Sequence, residues 1–300
     1  MDITSIVVYL KGLIGTILTF LLMLSPVSPA GVAFDAENPD ELITSFAVVS
    51  DIHVETNNPD SYNAYRGVLE GIKAGTDIST SVFLGDNVMN GQELENIFFY
   101  TALKAVNPAE NNIVVMGNHD VGNGEGNYDV LRDSYLGYNH VLTGERQEKP
   151  YYYKVIDGCY FIVLGIEGLT VNETIISDEQ LAWLKSVLDE AQAAGAPIFV
   201  LNHHPMKYVT GDDKNVIADI LDDYSKVLYF HGHVHNQLTA NSFYEVNGIP
   251  SFNLPRSTEV VDYEPGDGLV VEVYENEIFV RGRDFIKGEW IEGLEYRYAY

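Results

Sequence analysis

The chain has 300 residues, of which 46% are hydrophobic and 12% aromatic, enough to build a packed core and to exclude wholesale disorder. Its formal net charge of −27 makes nucleic acids and anionic membrane surfaces poor partners, because both are held through cationic side chains. A single cysteine, Cys159, rules out an internal disulfide and a cysteine-rich zinc module. Cys159 lies in the apolar run CYFIVLG and reads as a buried thiol.

The N-terminus carries an apolar run, Gly12 to Leu24, after Lys11, and then SPVSPAGVA with small-x-small spacing. Residues 1–33 read first as a signal peptide and second as an uncleaved N-terminal anchor. Either places the remainder outside the cytoplasm, secreted or held at a membrane by that segment alone.

The first strand is TSFAVVS from Thr44, a short apolar run of the buried kind. A helical pattern, SYNAYRGVLEGIKAG, leads to the strand TSVFLGD. The helix ELENIFFYTALKAV and the strand NIVVMG follow, and this alternation argues a parallel-type α/β core. Gly122 to Gly126, GNGEG, reads as a mobile loop. Two strand-like runs flank Asp157-Gly158, a hairpin signal. Ser177 with Gln180 forms a capping box for the next helix, which Gly195 closes. PIFVLN, a loop, the short helix NVIADILDDY and the strand KVLYF come next. The last part is β-rich, with an Asn-Gly turn in FYEVNGIPSFNL and a hairpin in GLVVEVYENEIFV. One domain spans residues 44–285, and residues 286–300 form either a last strand or a packed extension.

Residues with metal-binding chemistry recur where these apolar strands end. They are Asp51 and His53 in SDIH, Asp86 in LGD, Asn118 and His119 in GNHD, His203 and His204 in NHHP, and His231, His233 and His235 in HGHVH. Only His140 of the eight histidines lies elsewhere. The carboxyl ends of strands are where ligands bind in α/β proteins, and imidazole, carboxylate and amide oxygen suit borderline divalent cations.

D-x-H, G-D, G-N-H-D, N-H-H-P and G-H-x-H, in this order from Asp51 to His235, resemble the calcineurin-like metallophosphoesterase superfamily. The combination with GDNVMNG is most similar to its bacterial branch that includes cyclic nucleotide phosphodiesterases. Met89 stands where purple acid phosphatases carry a metal-binding tyrosine, and GDNVMNG departs from the G-D-x-x-D-R-G of protein serine/threonine phosphatases. The resemblance implies an α/β fold with two packed mixed β-sheets flanked by helices, a four-layer α/β/β/α sandwich. It implies two divalent or mixed-valence metal ions (Mn, Fe or Zn). Asp51, His53, Asp86 and His235 would hold one, and Asp86 would bridge to a second held by Asn118, His203 and His233. Two such ions about 3.5–4 Å apart clamp the attacking and leaving oxygens of a phosphoryl transfer, with a hydroxide between them as nucleophile. His119 would act as general acid, and Asp120 would hold its imidazole or cap the next element. His204 reads equally as substrate-facing or structural, His231 as structural, Asn87 as a turn residue, and Arg256 as half of a surface ion pair.

The expected activity is metal-dependent hydrolysis of a small phosphoester, a diester before a monoester. A non-catalytic metal-binding relative is the alternative, opposed by the complete set of seven ligands and His119. The net charge weighs against a nuclease.

Overall fold

The computed structural model describes residues 31–209, 215–258 and 264–300. The signal or anchor expectation falls almost wholly outside these residues, as does the end of the loop after NHHP. No described helix is long and apolar enough to cross a membrane.

Two six-stranded mixed sheets pack face to face with helices outside each. In the first sheet β1 (Thr44–Val49), β2 (Thr80–Phe83) and β3 (Asn111–Val114) are parallel. Helices α1 (Pro59–Lys73), α2 (Glu93–Val106) and α3 (Tyr128–Thr143) lie on the outer side of these strands. The second sheet contains β4 (Tyr152–Ile156), β5 (Cys159–Val163), β6 (Ile198–Leu201), β7 (Val227–His231), β8 (Phe243–Val246) and β9 (Ile249–Asn253). Its order is β4-β5-β6-β7-β9-β8, with β5, β6, β7 and β9 parallel. Helices α4 (Asp178–Ala194) and α5 (Val216–Leu221) cover its outer face. The chain then returns to the first sheet through β10 (Asp267–Val273), β11 (Glu277–Asp284) and β12 (Glu289–Ala299), giving the order β12-β11-β10-β1-β2-β3.

Strand alternation builds the layers. Along β1, Ala47 and Val49 face the helices, whereas Phe46 and Val48 face the second sheet. Phe46 packs edge-on to Phe199 at 4.7 Å and to Phe161 at 5.0 Å across the intersheet core. Truncating so buried a ring costs about 3–5 kcal/mol. Cys159 is buried in the same core, where burial pushes its thiol up to about 12.

The local signals act as their chemistry dictates, with informative exceptions. Asp157-Gly158 and Asn247-Gly248 both have positive φ at the two central residues, as a primed hairpin turn requires. Ser177 accepts from the Gln180 amide, but the Gln180 side chain does not return the bond. It spans instead to the backbone of Gly165, and Glu167 takes the Ser177 amide. The capping box is therefore half made, and the second half fastens the β5–α4 loop. Residues 286–300 are not a separate extension, because β12 pairs along β11 and completes the first sheet beyond residue 285.

Candidate metal centre

The five motif elements converge at the carboxyl ends of five parallel strands. Residues 50–53 follow β1, 84–86 follow β2, 115–120 follow β3, 202–204 follow β6 and 232–235 follow β7. Asp51, His53, Asp86, His233 and His235 all have φ between 47° and 71°. Such left-handed backbone is uncommon for residues with side chains, and its concentration here marks a site. Two glycines permit the close approach of the loops. A Cβ at Gly117 would overlap Asp86, and one at Gly232 would overlap Ser50 and Asp51.

Ligand-type atoms fall into two groups that meet at Asp86. Asp51, His53, Asp86 and His235 form one, with all four atoms within 4.8 Å of one another. Asp51 Oδ1 lies 2.9 Å from His235 Nε2 and 3.6 Å from His53 Nε2. Its other oxygen accepts from Ser50 Oγ (2.6 Å) and from the His233 amide (3.0 Å), so Oδ1 is the oxygen aimed inward. The second group contains His203, His204 and His233. Asn118 belongs beside it, with Oδ1 3.2 Å from His233 Nδ1. Asp86 Oδ2 lies 3.7 Å from His53 Nε2 in the first group and 3.1 Å from His203 Nε2 in the second.

The surrounding hydrogen bonds fix which atoms point inward. His203 Nδ1 donates to Leu84 O (2.8 Å), which turns Nε2 toward Asp86 Oδ2. Asn118 Nδ2 donates to Asn123 Oδ1 (2.9 Å), which leaves the amide oxygen for the cluster. Asn123 sits in the GNGEG segment expected to be mobile. At the start of that segment the Asn123 amide binds Asn118 O (2.7 Å) and the Gly122 amide binds His119 O (3.0 Å). Tyr229 receives a bond from Asn202 Nδ2 and donates to His204 O, anchoring the NHHP turn.

The charges keep the carboxylates ionised and all but one of the site's shifted imidazoles neutral. Burial works to raise the Asp51 carboxyl, but His203, His235 and His53 overcome it and hold it well below the usual range. Asp86 is lowered in the same way, chiefly by His203. Burial opposes protonation of His203, yet Asp86 and Asp51 push it up to about 9. Burial lowers His53 and His233 to about 4 and holds His204 well below its ordinary value. Buried carboxylates and the neutral imidazoles of His53 and His233 form a donor set that fits divalent cations, and His203 joins it on losing its proton. Asp51, His53, Asp86 and His235 are placed to hold one, and His203, His204 and His233, with Asn118 and Asp86 at their edge, form the candidate for a second.

His119 belongs to neither group but packs its ring edge-on to that of His53 at 4.6 Å. Its amide binds Asp86 Oδ1 (2.8 Å), and its Nδ1 lies 2.5 Å from Met89 O. The carbonyl makes Nδ1 the donor, so Nε2 is the nitrogen left for a substrate. The reading of Asp120 as the residue that holds the imidazole is corrected, because Met89 O does that. Asp120 is 3% exposed, and its oxygens accept from the amides of Gly117, Asn87 and Val88 and from Asn87 Nδ2. It ties the loops after β2 and β3 together and does not face a substrate. Burial and then Asp86 push it up to about 7, against the pull of the Gly117 and Val88 amides. Asn87, read as a turn residue, is the other half of this tie.

His231 is buried and bonded through Nε2 to Tyr244 Oη (2.5 Å), away from both groups. His204 packs its ring 4.2 Å from that of His233, and its Nδ1 is buried without a partner. Arg256 is part-buried and reaches Thr258 Oγ1 at 3.4 Å. Ser50, Asn123 and Met89 are contributors to which the sequence assigned no role in the site. Asn172, Glu173, Lys207, Tyr208 and Val234 line a groove of about 440 Å³ that reaches His233.

The sequence profile of the calcineurin-like phosphoesterase family matches residues 44–237, and the chain belongs to that family. No curated protein matches it. Among solved structures, a dimetal phosphatase from Danio rerio superposes with a TM-score of 0.60 at 14% identity, covering 86% of this chain and 99% of that one. Vacuolar Protein Sorting 29 from Cryptosporidium parvum gives 0.44 at 12% identity, over 86% of this chain and 98% of that one. A predicted phosphoesterase from Streptococcus pneumoniae gives 0.40 at 12% identity, with the same two coverages. The first of these supports the two-sheet fold, and the other two carry no argument. The family is one of phosphoesterases that use divalent metals, and this chain has a candidate Asp/His site for them.

Proposed function

We propose that the chain is a metal-dependent phosphodiesterase that acts outside the cytoplasm on a small phosphoester. The orientation of His119 carries the reading. Its amide is fixed by Asp86 and its Nδ1 by Met89 O, so a proton held at Nε2 is placed to pass to a leaving alkoxide. Divalent cations of the Mn, Fe or Zn kind, when bound, supply Lewis-acid charge for phosphoryl oxygens and a nucleophile at neutral pH. Asp51, His53, Asp86 and His235 would hold one, and Asn118, His203 and His233 would share Asp86 to hold the other. Asn123 and Leu84 O keep Asn118 and His203 aimed at that centre, and Asp120 holds the loops that carry Asp86 and His119 in register.

The preference for a diester is supported by the groove past His233, which leaves room for a second ester substituent. A polyanion is disfavoured by the charge of −27. The apolar run Gly12 to Leu24 supports export, with membrane contact only through that segment.

The test is hydrolysis of a chromogenic phosphodiester beside its monoester, after chelation and readdition of manganese. Metal-dependent turnover favouring the diester is expected. Preference for the monoester would make it a phosphatase. Two bound cations with turnover of neither ester would return it to a binding role.

A further inference from the structure

Residues 31–38 lie ahead of β1 and are packed into the fold. The Phe34 amide donates to Ala74 O (3.3 Å) and the Thr76 amide donates to Phe34 O (3.0 Å), which makes a parallel bridge between Phe34 and Gly75. The amides of Ala36, Glu37 and Asn38 donate in turn to Asp77 Oδ2, Glu272 Oε2 and Tyr274 Oη. The Phe34 ring is buried and meets Trp290 of β12 edge-on at 5.4 Å.

The packing reaches back to Gly31. A Cβ there would fall 2.4 Å from Glu70 O and 2.8 Å from Ala74 Cβ, so the Gly31 backbone rests directly on the last turn of α1. Val32 seats against Gly288 in the β11–β12 turn, and its carbonyl accepts from Arg283 Nη2 (3.2 Å). Arg283 is only 2% exposed, and its guanidinium lies 3.8 Å from the centre of the Phe34 ring and 4.7 Å from that of Trp290. Its Nε already has no hydrogen-bond partner, so loss of Val32 O would leave a buried cation poorer still, at substantial cost.

Two pairs in this stretch have the small-x-small spacing that a leader peptidase reads, Ser28 with Ala30 and Gly31 with Ala33. Cutting after Ala33 would remove Gly31 and Val32, and with them the acceptor of Arg283. Cutting after Ala30 falls just ahead of Gly31 and leaves every one of these contacts in place.

We propose that the bond between Ala30 and Gly31 is a processing site, and that residues 31–38 stay with the enzyme as a latch tying α1 to the β10–β12 side of the first sheet. A leader peptidase of the host would hydrolyse that amide with water, leaving a carboxylate on Ala30 and an amino group on Gly31. The inference rests on the export reading and fixes where that reading cuts the chain.

The experiment expresses the full chain in a bacterium with a general export route and reads each cell fraction by intact mass and N-terminal sequencing. The wild type should be recovered outside the cytoplasm, beginning at Gly31. Ala33→Leu should be cut at the same bond, whereas Ala30→Leu should block the cut or move it to Phe34. Any chain beginning at Phe34 should melt about 5 °C below the wild type, the scale of one hydrogen bond to a charged group. A wild type beginning at Phe34, or Ala30→Leu cut as before, would overturn the site. A chain beginning at Phe34 that melts with the wild type would overturn the latch. An uncut chain in the membrane fraction would overturn the processing and leave export standing, through an anchor. An uncut chain in the cytoplasm would remove the export reading as well.

Discussion

The two ligand groups share Asp86 but differ in composition. The first has two carboxylates and two histidines, whereas the second is made of His203, His204 and His233, with Asn118 beside it and Asp86 as the only carboxylate that the proposed assignment gives it. The first can draw a cation by charge, whereas the second must rely on orientation and on a histidine that starts protonated. The first group should therefore bind its cation more tightly, and the second should be the one that pH and loop packing adjust. The shared oxygen, Asp86 Oδ2, makes neither group independent.

The sharpest way to break this picture is Asp86→Asn, which removes the only carboxylate common to both groups. Turnover should fall by about a thousandfold or more, the scale of losing a preorganised electrostatic partner. Elemental analysis should show fewer than two cations per chain, and near-normal turnover with both retained would sink the shared-carboxylate assignment. His119→Ala tests the group outside both clusters. Metal content should hold while rate falls about 10²–10⁴-fold, most for esters with poor leaving groups. Equal losses for good and poor leaving groups would remove its role as acid.

Smaller effects should separate the two groups. Asn123→Ala frees the Asn118 amide and should weaken the second cation about 10–100-fold with little effect on the first. Equal weakening of both in a metal titration would show that the asymmetry is wrong. Acidity gives the mildest test. His203 titrates near 9 in the metal-free chain, so the second cation must displace its proton at neutral pH. Its affinity should rise about tenfold per pH unit from 7 to 9 and then level off, provided no other group titrates with it. For stability without metal the sign is opposite. The contribution of protonated His203 beside Asp86 is complete below about 6.5 and disappears as pH rises through about 9.

Much of this asymmetry was legible in the sequence, for a physical reason. Polar residues that interrupt apolar strands at the carboxyl end stand out from a hydrophobic background, and all five elements do so. The order of the strands within each sheet was not legible, since nothing local tells β10 to return beside β1. Helix α3 was missed although it has an apolar face. Leu131, Tyr135, Tyr138 and Leu142 keep helical spacing and pack on the first core, but they are mostly half-buried, and the exposed Val130 and Val141 blur the stripe. Asp120 was misread because its partners, Asn87 and Val88, lie over 30 residues upstream and meet it only through the pairing of β2 with β3. Asn123 gave no signal, since an asparagine between glycines looks like any turn.

The five left-handed residues around the centre have a consequence for the life of the protein. Each such backbone costs about 1–2 kcal/mol, so together they approach the net stability of an ordinary domain. Cations that bind only the native chain would offset that debt through mass action. Starved of metal, the chain should open first at these loops and meet proteases there. Its persistence would then record the metal supply of its surroundings, and idle copies would be cleared before active ones.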